Sequence, residues 1–567
     1  MVPAGGSAIA GASWLRRHLP FLVFLAAFIT YCVYLQVQYA GALERLALTR
    51  IFFQVAIAAV VIAALKNAVG VRTIGMFGPV IIALAFLATG LLLGLALFGL
   101  ILGVVALARA ALLRERIQES HRVAILVTVV GITISSIALL GLEFGQHELF
   151  FAVLFPVLIS AWIAERYVEQ VTRVGWKDPS FALAWSIVAI IIAFVVITQD
   201  VLVDFVTLTP VTWPVLVALN WVLGTQVRFR VSERFRFGGV SRYALAGSVL
   251  EGDYSDDVLT MIVRNREYVT RYNPAEVMAR LTKDEAKALL EAQGVPVAQT
   301  FLVLRERGDL DTFRSWLEGR DRFAVKPASG HGGEGILLVR GRKGDTFDTN
   351  LGPLKAAALE THARAILDGE FRAGDRDVAV VEELLIQEEV LREIVPLGLA
   401  DIRVISFLGY PVMTMMRIPT TASGGKANLH LGAVGAGVRV STGQIIHAVW
   451  HGRPQPNHPD TNAVIVGGSV PHWSEVLEIA SEAQWLSGLG FAGVDIALDA
   501  RRGPVVMEVN RRPGLEIQNA NAAGLLRRLR AIEALPRRER PVEERLEVAK
   551  RLDDENWGLV AGVPPPP

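Results

Sequence analysis

Residues 76–113 form a run of 38 in which Arg109 is the one ionisable side chain. About 20 apolar residues cross a bilayer core, so the run is too long for a single span and far too apolar for the surface of a soluble domain. It reads as two spans, 76–94 and 95–113, joined where the small residues of "ATGLLLG" at 88–94 allow a tight turn. Further apolar stretches near 20–40, 51–66, 122–143, 147–164, 179–197 and 206–224 bring the expected number of membrane helices to eight, all within residues 1–225. Composition changes sharply at that point. Residues 1–225 carry 13 Lys/Arg and 10 Asp/Glu, whereas the 342 residues that follow carry the other 88 charged side chains. The second part has the polarity and the length of a globular domain with its own core.

Basic residues are retained on the cytoplasmic side of a membrane, which makes their distribution a test of topology. With the N-terminus inside, the inner connections collect fifteen Lys/Arg, from Arg16 and Arg17 through Arg114 and Arg116 to Arg234 and Arg236, against Arg45 and Arg50 outside. This asymmetry predicts a cytoplasmic C-terminal half. Cleavage at the small residues "YAGA", 39–42, would remove the first span and leave the same orientation; a run of about 20 apolar residues favours retention. Ionisable groups are nearly absent from the span interiors. Thr128, Thr133 and Ser135 can bond to helix carbonyls, and Pro79, Pro156, Pro210 and Pro214 can kink helices, so the bundle reads as anchor and scaffold, with a lipid-linked substrate path as the alternative. The single cysteine, Cys32, excludes an intrachain disulfide and thiol-based metal sites. A net charge of +1 gives no basic field for nucleic acid.

After an arginine-rich linker, 226–262, helical and strand patterns alternate in an α+β manner, ending in a charged helical tail with a proline-rich end, 531–567. In "RFAVKPASGHGGEGILLVR", 322–340, Lys326 ends one β-rich run, and a loop with Ser329, Gly330, Gly332, Gly333 and Gly335 leads to another. Such a loop is either a flexible hairpin or a backbone able to fold over phosphates, and the neighbouring lysine favours the second. In "GFAGVDIALDARRGPVVMEVN", 490–510, two strands flank a glycine turn. Pairing Leu498 with Val505 across that turn sets Asp495 opposite Glu508, with Asn510 on the same face: two carboxylates and an amide oxygen, a hard-oxygen set suited to Mg²⁺ beside nucleotide phosphates. Between these blocks Arg403 and Arg417 lie on strands, ready either to clamp phosphate or carboxylate or to close structural ion pairs. A loop with Lys426, Asn428 and His430 follows. The strand "VAVVEELL" carries Glu382 and Glu383, one of which must point away from the other by strand alternation.

In this order the blocks "RNREYVTRYNP", "KPASGHGGEGI", "DIRVISFLGYPVM", "GKANLHLGAVG", "HPDT", "GVDI" and "EVNRRPGLEIQNAN" resemble the ATP-grasp superfamily, and within it the α-L-glutamate-ligase-like branch related to the ribosomal-protein glutamate ligases. The resemblance spans about 263–530. The membrane half is similar to the seven-helix domain that in bacteria accompanies an inactive transglutaminase-like domain. What the resemblance implies is an N-terminal α-helical transmembrane bundle followed by an α+β ATP-grasp domain, in the bacterial inner membrane with the ligase domain in the cytoplasm. It assigns Lys283 and Lys326 to the ATP phosphates, the 329–335 loop to a phosphate lid, and the strand around Glu382 and Glu383 to adenine and ribose. Asp495, Glu508 and Asn510 match Mg²⁺ ligands, with Mn²⁺ as a substitute. Arg403 and Arg417 fall near the γ-phosphate and the acyl substrate, and Asn428 and His430 in the loop bordering the acceptor. Thr282 stands where related sequences tend to carry Asp. The implied activity is joining a carboxylate to an amine through an acylphosphate, with ADP and phosphate released. The substrates would be amino acids or lipid-linked species, and partners in the membrane are compatible with it. A nucleotide-binding but catalytically silent domain with a regulatory or scaffolding role is the alternative. The absence of a Walker lysine loop and of a cysteine or GxSxG nucleophile in this half agrees with the ligase chemistry.

Overall fold

The computed structural model describes residues 5–112, 119–143, 157–174, 176–228, 230–238, 240, 257–281, 283–328, 335–371, 376–536 and 538–557. The chain divides into two compact units, Met1–Ser232 and Glu233–Pro567.

The first unit is helical. Among the described residues, five helices are long and apolar enough to cross a membrane: His18–Gln38, Ala40–Val69, Leu91–Leu112, His121–Glu143 and Asp178–Ile197. The expected break in the 38-residue run falls at Gly90, whose φ of 75° is open to glycine without strain. It leaves Phe77–Thr89 as a shorter apolar helix. The stretch at 206–224, where prolines could kink a helix, is more than kinked. It is a pair, Asp200–Leu208 and Pro210–Thr225, bent by 99°. Pro210 has no N–H to continue the first helix and drives Thr209 out of the helical region, to φ −122° and ψ 83°. The stretch expected at 147–164 is described only from Val157, in a helix Val157–Val174 that carries Glu165, Arg166, Glu169 and Arg173 and is not among the apolar spans. Glu165 accounts for Arg109: the two pair while both are buried, and Arg122 joins them at 3.1 Å. A charge in an apolar bundle is tolerated only when it is paired in this way. Thr128 and Thr133 donate to the carbonyls of Ala124 and Val129, as expected of hydroxyls on apolar helices.

The second unit contains two antiparallel sheets. The smaller is built from β1 (Thr300–Leu304), β2 (Phe323–Pro327), β3 (Leu337–Lys343), β4 (Thr346–Thr349), β5 (Gly352–Lys355) and β6 (Ala379–Glu382), in the order β1-β6-β2-β3-β4-β5. One of its faces buries Phe323, Val325 and Val381 against Phe313 and Ile366 of the helices Asp309–Trp316 and Ala356–Leu367. The larger comprises β7 (Asp401–Phe407), β8 (Tyr410–Ile418), β9 (Val434–Val438), β10 (Ile445–Trp450), β11 (Arg453–Pro454), β12 (Phe491–Asp499) and β13 (Gly503–Asn510), in the order β11-β10-β9-β8-β7-β12-β13. Helix Trp473–Leu486 covers one face, through Val404, Met416 and Val494. Ile517, Leu526 and Leu529 cover the other, against Ile405, Phe407 and Met413. With both faces covered, every residue of β12 is buried, which is why "GFAGVDIALD" reads as a continuous apolar run rather than an alternating one.

Residues 233–262, read above as part of a linker, belong in their described portion to this unit. Glu233 accepts from the Met261 amide at 2.6 Å and Arg236 pairs with Glu516 at 2.7 Å. The tail behaves likewise, helix Val542–Leu552 burying Arg545, Val548 and Ala549. One close approach is decisive for the large sheet. A Cβ on Gly437 would stand 2.7 Å from the Asn521 Cα, backbone against backbone, with no rotamer able to yield. Gly437→Ala is therefore expected to destabilise the domain by about 1–3 kcal/mol, read as a lowered unfolding temperature of the purified chain in detergent. An unchanged temperature would mean that the 517–521 segment can move aside.

Candidate active site

Strand alternation puts Asp401 and Arg403 on one face of β7, and the register carries that face across the sheet. Arg417 is opposite Asp401, Asp495 opposite Arg403, and Glu508 opposite Asp495. The Asp495–Glu508 pairing is the expected one, but the pairing from which it was inferred is not. Leu498 faces Pro504 rather than Val505, and Ile496 faces Val506. A bulge at Met507 inserts one residue and restores the register at Glu508.

The arginines close on the carboxylates. Arg403 donates from Nε and Nη2 to the two oxygens of Asp495, at 2.7 and 2.6 Å, a bidentate fork. Arg417 bridges, donating to Asp401 at 2.5 and 2.6 Å and to Asp495 at 2.7 Å. Burial alone would raise Asp495, yet the guanidiniums of Arg403 and Arg417 outweigh it and bring the carboxyl down to about 2. In Asp401 burial prevails over Arg417, and the negative charge of Asp495 adds to it, raising the carboxyl to about 6. Against the pull of burial, the two aspartates raise the Arg417 guanidinium. Asn510 donates from its amide nitrogen to Asp495 at 3.0 Å.

Among the described residues no three His, Cys, Asp or Glu side chains gather closely enough to hold a metal by themselves. The residue types nevertheless suit a hard divalent cation whose shell is completed by phosphate oxygens or water: Glu508 is in register beside Asp495, and Asn510, which here gives its nitrogen to Asp495, carries an amide oxygen as well.

The smaller sheet contributes a second charged cluster. Lys326 and Glu382 lie on the face of β2 and β6 opposite the one packed on helices, and their ammonium and carboxylate are 2.5 Å apart. Lys287, from helix Lys283–Ala292, reaches the same carboxylate at 2.7 Å. Burial would raise Glu382, but Lys326 and Lys287 hold it below the ordinary value, whereas burial outweighs Glu382 in keeping the Lys287 ammonium below its own. A lowered carboxyl contributes stability above the unfolded-state pKa, about 4.3, and loses it as pH falls through the folded value. Wild type is thus expected to lose thermal stability below about pH 4.3 more steeply than Glu382→Gln. Parallel acid limbs would show that the lysines do not hold this carboxylate.

Glu383 points elsewhere, to Arg501 at 3.1 Å and Arg502 at 2.7 Å, so the structure does not bring it together with Glu382. Asn428 caps the turn Leu429–Leu431, accepting from the His430 amide at 3.0 Å, and the His430 side chain is exposed. Neither touches the arginine cluster. Gly335 adopts a φ of +72° under the Phe371 ring and offers its carbonyl to His362 at 2.9 Å. Ser329, Gly330, Gly332, Gly333 and Thr282 lie outside the described residues, as does the side chain of Lys283. Two members of these clusters were not singled out in the sequence. Asp401 could have been found from alternation with Arg403. Lys287 sits one helical turn beyond Lys283, a spacing that shares a helix face but does not reveal a buried carboxylate partner.

Residues 263–534 match the family model described as sugar-transfer associated ATP-grasp, and residues 33–241 match the one described as seven transmembrane helices usually fused to an inactive transglutaminase. No curated protein matches the chain. Among solved structures, the ATP-grasp ligase PsnB complexed with precursor peptide PsnA2 and AMPPNP is 17% identical, over 48% of this chain and 61% of that one, with a TM-score of 0.26. The D-alanine–D-alanine ligase from Bacillus anthracis complexed with ATP is 15% identical over 48% and 67%, with a TM-score of 0.27. D-cycloserine synthetase DcsG is 15% identical over 46% and 72%, also with a TM-score of 0.27. The chain thus spans 61% of the length of PsnB.

Proposed function

We propose, for a multi-pass membrane protein whose C-terminal half is an ATP-grasp domain, that this half is an ATP- and Mg²⁺-dependent ligase joining a carboxylate to an amine on the cytoplasmic face of a bacterial inner membrane. The observation that carries this reading is the face on which Arg403 and Arg417 converge on Asp495 with Glu508 and Asn510 in register beside it. Phosphoryl transfer asks a protein mainly for positioning and for charge aimed at the moving phosphoryl group. Asp495, staying ionised to about pH 2, orients both arginines so that their remaining N–H donors can meet phosphate and acyl carboxylate oxygens. Glu508 and Asn510 would hold the divalent cation, which when bound supplies Lewis-acid neutralisation of the phosphates. Lys326 and Lys287, oriented by Glu382, add positive charge for nucleotide phosphate. The substrate carboxylate attacks the γ-phosphorus and ADP leaves; the amine then attacks the acyl carbon and expels phosphate, which retains one carboxylate oxygen.

The motifs at 263–528 favour an amino-acid substrate of the glutamate-ligase-like kind, while the matched family is described as sugar-transfer associated. Incubation of the full chain in detergent with ATP, Mg²⁺ and ¹⁸O-carboxylate substrates is expected to release ADP and to place one ¹⁸O in the phosphate. ADP release without label transfer would exclude the acylphosphate. A second reading, a silent nucleotide-binding domain, is favoured by one feature: both oxygens of Asp495 are already engaged by guanidiniums. It predicts nucleotide binding with no substrate-dependent ADP release at all.

A further inference from the structure

The segment that leaves β13, 511–514, crosses the sheet face on which the arginine–aspartate cluster lies. Gly493 is two residues from Asp495 and shares its face of β12; a Cβ there would stand 2.8 Å from the Pro513 Cβ, and a Cβ on Gly514 would stand 3.8 Å from Arg403 Nη1. Arg264 reaches the same segment, donating from Nη1 to the Pro513 carbonyl at 2.8 Å. By these links the Arg264 and Arg403 guanidiniums lie no more than about 12 Å apart.

Arg264 is fixed in place. It opens a single π-helical turn, Arg264–Val269, between the short helices Met261–Val263 and Thr270–Tyr272, an irregularity frequent at functional sites. Buried Asn273 clamps the end of this helix, donating to the carbonyls of Phe491 at 2.9 Å and Arg511 at 3.3 Å and accepting from the Phe491 amide at 2.8 Å. The bond to Arg511 also ties down the segment that carries Arg512.

Burial, and then repulsion by Arg236 and Arg512, bring the Arg264 guanidinium down to about 10. The carboxylate that opposes them is Glu233, which is buried and accepts from the Met261 amide at 2.6 Å. Arg236 is paired with Glu516 at 2.7 Å, and Arg266 with Glu267 at 3.3 Å. Arg264 and Arg512 are not paired in this way. Arg264 has neutral acceptors, the Asn265 side-chain oxygen at 3.0 and 2.9 Å and the Pro513 carbonyl, and the exposed Arg512 makes no ion pair among the described residues. A guanidinium carries five N–H donors; three of those of Arg264 are engaged, and its side chain is only half-buried.

We propose that Arg264 and Arg512 form a socket for a second, non-reacting oxyanion, so that one substrate carries a carboxylate or phosphate in addition to the group that is joined. The inference rests on the ligase activity proposed above and narrows its substrates. Two guanidiniums without carboxylates, held beside the face where the phosphoryl group is to move, match an oxyanion through their remaining N–H donors. A neutral substrate would leave them repelling each other. The short separation from Arg403 puts the anion within one small molecule of the reacting atoms. Amino acids, whose second ionised group is a carboxylate, and phosphorylated amines both have this form.

The test is calorimetric titration of glutarate and of glycerol 3-phosphate into the full chain in maltoside micelles and phosphate-free buffer, with and without saturating AMP-PNP and Mg²⁺. At least one of the two anions is expected to bind wild type in both conditions, and to bind about tenfold more weakly in Arg512→Gln and in Arg264→Met, with Arg264→Lys intermediate. Arg512 is exposed, so Arg512→Gln provides the reading should Arg264→Met not fold. Tighter binding of glycerol 3-phosphate assigns the socket to a phosphate ester, and tighter binding of glutarate to a carboxylate. A wild type that binds neither anion, or affinity unchanged in Arg512→Gln, would overturn the proposal. Anion binding that depends on the two arginines in a chain that binds no AMP-PNP would keep the socket and remove the ligase reading instead.

Discussion

Glu508→Ala should slow substrate-dependent ADP release by about 10²–10³-fold, the loss typical of removing one group that offsets charge in the transition state. The side chain is half-buried at the end of the β12–β13 pair, beyond the Met507 bulge, so its removal opens no core cavity and should lower the unfolding temperature far less than Asp495→Ala does. The combination is what distinguishes a chemical role from a structural one. A Mg²⁺ titration sharpens it, since a lost cation ligand should raise the concentration required for half-maximal rate. Release at the wild-type rate with an unaltered Mg²⁺ requirement would remove Glu508 from the site and, with it, the cation assignment to this face.

Asp495→Ala should act oppositely, on folding before chemistry. Asp495 is buried and accepts from Arg403, Arg417 and Asn510 at once; without it Arg403 loses both bonds of its fork, and Arg417 keeps only Asp401. Leaving buried guanidiniums uncompensated costs about 3–5 kcal/mol, a large part of the stability of a domain. Thermal unfolding in detergent should show the loss directly, and adding Arg403→Met should recover much of it, because replacing both partners removes the stranded charge. If Asp495→Ala unfolds at the wild-type temperature, the cluster is more hydrated than its burial implies.

Different parts of this protein are legible in its sequence to different degrees. Five of the eight expected spans are helices long and apolar enough to cross a bilayer, because crossing is a requirement of length and polarity that acts along the chain, whereas 76–94 holds only the 13-residue helix Phe77–Thr89. Even the break at Gly90 follows from that reading. The bend at Pro210 is half visible: proline says that the helix must yield, but not that the two pieces meet at 99°. The nucleotide-site motifs are legible as residues and less so as partners. Asp495 and Glu508 do face one another, yet through a bulge that no count of residues from the turn reveals, since whether a strand carries an extra residue depends on what the neighbouring strand offers. Glu382 and Glu383 are adjacent and similar in sequence; one meets two lysines and the other two arginines, because alternation sends them to opposite sides of the strand.

The sequence by itself determined that an apolar helical half precedes a polar α+β half, and it placed lysine, arginine and acid on the strands that build the candidate site. These are properties of composition, period and order. Only the tertiary structure decided which charges neutralise which. That is why Arg403 and Arg417 converge on Asp495 and why Arg109 is tolerable beside Glu165. Coulomb energy and desolvation depend on distance and burial in space, and residues 92 or 56 positions apart acquire those only when the chain folds.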